Sequence, residues 1–181
     1  VRYGSLTRAA RAVHLTQPAL TQAIAGLEAQ LGLALFDRTP SGMVATAPAL
    51  LLAPRAEAAI DLIGSSRVTA TQIRAFLAVA RAGSYAAAAQ TTGLSSAALH
   101  RAIGDLALAL GQQLIERRGR NLLLTAMGQR RVRSFQLAMG ELRAGLDDIR
   151  AWQGKMAGRL IIGAMPLSRA RWLPDSIIRF Q

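Results

Sequence analysis

Leu20, Ile24, Leu27 and Leu31 recur at steps of four, three and four, which puts them on one stripe of a helix. The pattern predicts a helix from Thr16 to Leu31 with both ends marked. Thr16 stands at the N-cap, Pro18 lies in the first turn, and Gly32 follows the last apolar residue as a stop. Away from the stripe, Pro18, Thr21, Gln22 and Ala25 offer short groups near the helix N-terminus, the surface that a helix entering a DNA major groove requires. Upstream, Ser5 is expected to cap a shorter helix running to Val13, and His14-Leu15-Thr16 forms the turn. Two helices joined in this way make a helix-turn-helix. Taken singly, the unit also fits an ordinary helical hairpin packed in a larger core.

The pattern returns at an offset of 79 without a gap. Leu20, Ile24, Leu27, Leu31 and Gly32 map onto Leu99, Ile103, Leu106, Leu110 and Gly111, and Gly4-Ser5 onto Gly83-Ser84. In the second copy an amphipathic helix, roughly Thr71 to Arg81 with Ile73, Phe76, Leu77 and Ala80 inward, precedes the Gly-Ser pair. The first copy should need the same helix, so the sequence is expected to be truncated at its N-terminus. After each long helix come two short strands around a turn. These are Leu35–Arg38 and Met43–Ala45 about Thr39–Gly42, and Leu114–Arg117 and Leu122–Leu124 about Arg118–Asn121. A hairpin here is a wing whose tip would lie along the phosphate backbone. Arg38 in copy one, and Arg117, Arg118 and Arg120 in copy two, are its candidate contacts.

Thr46 and Thr125 are expected to cap the next helices. The first reads as short, interrupted by Pro54 and ending at a Gly64-Ser65-Ser66 linker. The second reads as long, about Ala126 to Gln153, with Val132, Phe135, Met139, Leu142, Leu146 and Ile149 at alternating steps of three and four. That seam predicts pairing with another helix, against the alternative that it packs on its own module. Gly158–Gly163 then reads as a strand, Ala164–Arg171 as a loop and Leu173–Phe180 as a helix, which is the opening of an α/β domain.

Charge and composition sharpen the picture. The 181 residues carry a net charge of +12, which implies an anionic partner, nucleic acid first. Lys155 is the single lysine, so arginine-rich composition is the bland alternative. The distribution argues otherwise: residues 68–134 hold nine arginines against Asp105 and Glu116. Cysteine is absent, which removes disulfides and thiolate chemistry. No apolar run is long enough to predict a membrane span.

Gly4-Ser5-Leu6-Thr7-Arg8-Ala9-Ala10, the stretch from Leu15 to Ile24, Leu27–Gly32 and Leu35-Phe36-Asp37-Arg38 resemble the N-terminal domain of LysR-type transcriptional regulators. Gly158–Gly163, with Leu173-Pro174 and Phe180, is similar to the start of that family's effector-binding domain. The resemblance implies a cytoplasmic bacterial regulator that binds double-stranded DNA, dimerises through its linker helix and answers to a small effector, with Leu167 and Ser168 as candidate effector contacts. Two departures stand out. The family usually has one DNA-binding domain, and this chain has two. Gln17 and Pro18 fit the recognition-helix opening in copy one, where Gln22 occupies the usual arginine position. Copy two keeps Arg101 there, with Ser96 and Ala97 in place of Gln-Pro and His100 beside it.

The expected fold is therefore mainly α. It comprises winged helix-turn-helix copies at 1–64 and 65–124, a linker and dimerisation helix at 125–155, and the first strand and helix of an incomplete effector-binding α/β domain at 156–181. Homodimerisation and intrachain pairing of the two copies are the two arrangements open. No catalytic constellation, metal-ligand spacing or cofactor motif is found, so no enzyme activity, metal or cofactor is expected. The competing class is a protein-interaction module in which one or both copies no longer bind DNA.

Overall fold

The computed structural model describes residues 4–39, 42–118 and 121–155. Among these the chain is mainly helical, with two small antiparallel hairpins. The order is α1 (Leu6–Ala12), α2 (Gln17–Leu31), β1 (Phe36–Thr39), β2 (Gly42–Ala45) and α3 (Ala47–Ile63). Then come α4 (Ala70–Ala82), α5 (Tyr85–Thr92), α6 (Ser96–Leu110), β3 (Ile115–Arg118), β4 (Asn121–Leu124) and α7 (Ala126–Trp152). The offset of 79 carries α2, β1 and β2 onto α6, β3 and β4 at both ends, so one element order occurs twice. The strands run one residue closer to each turn than the apolar pattern predicts, with Thr39 paired to Gly42 and Arg118 to Asn121.

The main core belongs to the second set of elements. Ile73, Phe76 and Val79 from α4 meet Ala88 of α5 and Leu99, Ile103 and Leu106 of α6, with Leu114 and Phe135 closing the cluster. Phe76 and Phe135 stand edge to face, with ring centroids 6.1 Å apart. Thr69 and Gln72 form a reciprocal capping box that starts α4. The inward face of α4 takes Val79 and Ala75 where Leu77 and Ala80 are predicted; the latter two are half-buried. α4 is covered by α6 and α5 and also meets α7, so its inward face is wider than a single predicted stripe.

In the first set, no residue of α2 is fully buried, and Leu27 is 40% exposed. Among the described residues no helix lies against α2 as α4 lies against α6. The same apolar stripe therefore ends half-solvated, beside a cavity of about 240 Å³ bounded by Leu6, Ala9, Leu20, Ile24, Phe36 and Met43.

Two expectations about the long helices need correction. α3 is not short: it passes through Pro54 unbroken to a left-handed Gly64. Proline removes the hydrogen bond to the Leu50 carbonyl, but Leu50 and Pro54 are both exposed, so water can take that carbonyl. Nor is the seam of α7 one continuous interface. Phe135 is fully buried in the core of its own copy, with Val132 and Met139 packed against it. Ala138, Gly145 and Ile149 share the buried face that carries α7 along α3. Leu142 is half-buried and Leu146 is 36% exposed. The predicted strand, loop and helix beyond residue 156 lie outside the described residues.

Candidate nucleic-acid interface

Each long helix begins with a side-chain cap. The Thr16 hydroxyl accepts from the Ala19 N–H at 3.3 Å, and the Ser95 hydroxyl accepts from the Ala98 N–H at 3.1 Å. Neither helix has an acidic residue in its first turn. The positive end of each helix dipole is thus left without a neutralising carboxylate, an arrangement that favours an incoming phosphate.

On α2, Gln17, Pro18 and Gln22 are exposed, as a reading face requires. Two groups on this helix are committed elsewhere. The Thr21 hydroxyl donates to the Gln17 carbonyl at 2.9 Å, so it is turned onto its own helix. The Thr7 hydroxyl donates to Gln17 Oε1 at 3.2 Å, tying α1 to α2 and leaving the Gln17 amide NH₂ as the outward group. On α6, Ser96, His100 and Arg101 are exposed.

The structure brings His100 together with two partners. Its ring lies 5.0 Å from that of Tyr85 at a tilt of 36°. Both residues line a cavity of about 240 Å³ with Ile103, Gln113 and the wing residue Arg117. Burial pushes the Tyr85 hydroxyl above its ordinary range, and the Arg117 charge opposes that shift. Arg117 is exposed on β3, and Arg38 is exposed at the equivalent position on β1. Arg118 lies on the same strand, and Arg120 lies outside the described residues. Leu167 and Ser168 lie outside them as well.

Sequence reasoning missed Tyr85, Ser95 and Glu28. The Glu28 carboxylate accepts from the Leu35 and Phe36 N–H groups at 2.7 and 3.1 Å, which anchors the first wing to the end of α2. Its counterpart at the offset is Ala107, so the repeat gave no hint of it. Tyr85 was accessible: the offset pairs Leu6 with Tyr85 and Thr21 with His100, so both members of the stack change together.

Comparison with known proteins decides the family. Residues 1–50 and 70–129 both match the bacterial regulatory helix-turn-helix protein, lysR family. The chain belongs to the lysR family. Among its relatives, the HTH-type transcriptional regulator GalR of Pseudomonas putida is 32% identical over 190 aligned positions, covering 98% of this chain and 48% of that protein. The transcriptional regulator PtxR of Pseudomonas aeruginosa is 39% identical over 103 positions, covering 57% of this chain and 33% of the relative. The chain spans about half the length of GalR, and its matched part covers a third of PtxR. Among solved structures, oxidized Corynebacterium glutamicum OxyR aligns with 26% identity and a TM-score of 0.45, over 63% of this chain and 35% of that one. Among the described residues of this lysR-family chain, no helix is long and apolar enough to cross a membrane.

Proposed function

We propose that this chain is the DNA-binding portion of a LysR-type transcriptional regulator, with two winged helix-turn-helix units that both contact double-stranded DNA. The observation that carries the reading is the pair of exposed, acid-free N-terminal faces on α2 and α6, each followed by a hairpin with an outward arginine. In this reading Gln17, Pro18 and Gln22 in the first unit, and Ser96, His100 and Arg101 in the second, face base edges. Thr21 supports the helix from within. Arg38, Arg117, Arg118 and Arg120 hold the phosphate backbone. Residues beyond 155, including Leu167 and Ser168, begin the part that answers to a small effector in the bacterial cytoplasm.

Binding of a fluorescent duplex measured across a salt series tests this. Contact with several phosphates should make log affinity fall linearly with log salt, at a slope of about −0.9 per contact. The competing reading, a protein-interaction module, draws on exposed apolar side chains such as Leu50, Ile60 and Leu137 on α3 and α7. That module would show no duplex affinity at low salt.

A further inference from the structure

The observation that reaches beyond DNA contact is how α3 meets α7. These are the corresponding helices of the two element sets, since Ala47 and Ala126 begin them at the offset of 79. They run antiparallel. Arg55 in the middle of α3 faces Glu141 and Asp148, while Ile63 at its end faces Arg131, nearer the start of α7. Antiparallel pairing of corresponding helices is what a two-fold axis between two copies would produce. Here both copies lie in one chain.

The contact is built for unlike partners. Arg55 Nη1 reaches Glu141 Oε2 at 3.0 Å and Arg55 Nε reaches Asp148 Oδ2 at 3.2 Å. The two carboxylates flank Gly145, and a Cβ at Gly145 would stand 2.9 Å from Leu52 Cδ1 and 3.1 Å from Arg55 Cβ. Hydrogen bonds and charge from Glu141 and then Asp148 raise the Arg55 pKa further above its ordinary value. At the repeat offset, Arg55 corresponds to Ser134. An α7 helix facing a second α7 would therefore offer a hydroxyl where Glu141 and Asp148 now find a guanidinium. A second tie is equally one-sided. Arg131 of α7 donates to the Ile63 carbonyl at 3.2 Å and to Gln112 Oε1 at 2.8 Å, placing a cation at the negative end of α3. Its repeat counterpart is Leu52, which cannot return the contact.

We propose that α3 and α7 pair within one chain in place of a linker-helix pair between two chains, so that one chain brings both DNA-contacting units to one duplex. The pairing rests on the contacts above; the duplex stoichiometry rests on the proposed function.

The absence of cysteine makes a clean test possible. Arg55→Cys combined with Gly145→Cys sets the two Cβ atoms 3.1 Å apart, so the helices must part by a few tenths of an ångström to reach the roughly 3.5–4.5 Å that a disulfide favours. Mild oxidation at micromolar concentration should give a single band of unchanged chain mass and altered mobility on a non-reducing gel. A dimer-mass band, meaning exchange of α3 between chains, would overturn the proposal, as would failure of the folded double variant to crosslink at all. Because the crosslink consumes Arg55, a second experiment reads its charge. Arg55→Glu should cost α3 amides their protection from hydrogen exchange, and adding Glu141→Arg with Asp148→Arg should restore it. No restoration would refute the charge code. Titration of the unmodified chain with duplex should then saturate at one chain per duplex, and saturation at two would overturn the stoichiometry. If neither parent nor crosslinked chain binds any duplex, the functional reading fails while the crosslink still decides the pairing.

Discussion

Phe135→Ala probes the division of α7 between a core and a helix pair. Phe135 is wholly buried and meets Phe76 edge to face. Truncating a buried phenylalanine costs about 3–5 kcal/mol, of which roughly 0.5–1.5 kcal/mol comes from loss of the aromatic pair. For a chain of this length each kcal/mol lowers Tm by about 2–4 °C, so the expected fall is roughly 6–20 °C. The assay is thermal unfolding followed by circular dichroism at two protein concentrations a hundredfold apart. Because the lost contacts lie within one chain, the fall should be the same at both concentrations. A dimer seam would behave differently: the parent Tm would rise with concentration, and the variant would recover at the high end. A fall below about 2 °C, or recovery at high concentration, would refute the placement of Phe135 in its own core.

Three further outcomes follow from the same contacts. Gly128→Ala should destabilise by roughly 1–3 kcal/mol, because its Cβ would collide with the Leu114 carbonyl, whereas Gly140→Ala meets open space and should be neutral or stabilise by up to about 1 kcal/mol; chemical denaturation of both variants checks the contrast. Glu28→Ala should cost about 1–3 kcal/mol by leaving the Leu35 and Phe36 N–H groups without their acceptor, measured by the same denaturation. Arg117→Ala should flatten the salt dependence of duplex binding by about one unit of slope, read from affinities across a salt series.

Much of the fold was legible because the repeat supplied its own control. The apolar steps at Leu99, Ile103 and Leu106 gave the helix, and the structure buries all three. The same steps at Leu20, Ile24 and Leu27 also gave a helix but not its burial, because periodicity names a face and says nothing of what covers it. Pro54 misled for a related reason. Its cost inside a helix depends on whether the orphaned carbonyl reaches water, which a sequence does not state. The seam of α7 mixed two faces: Phe135 and Ile149 both look like pairing positions in one dimension, yet Phe135 lies in the core of its own copy and Ile149 is buried outside it. In the candidate interface, exposure at Gln22, Ser96 and Arg101 followed from helical phase. The turning-in of Thr21 and the Tyr85–His100 stack depend on side-chain geometry and on a residue from another helix.

The most direct test of the central claim is selection of binding sites from a random duplex pool with the parent chain, repeated with Gln22→Ala and Arg101→Ala. The side-chain amide of Gln22 suits adenine N6 and N7, the outward Gln17 NH₂ can donate to a base acceptor such as N7, and the Arg101 guanidinium suits guanine O6 and N7. The account predicts one site with unlike halves, A·T-leaning on one side and G·C-leaning on the other. Each substitution should relax preference in its own half, and Arg101→Ala should cost about 1–3 kcal/mol in affinity for the parent site. A perfect palindrome from the parent, or a loss on Arg101→Ala that is uniform across all sequences, would contradict the claim that the two units of one chain read different bases.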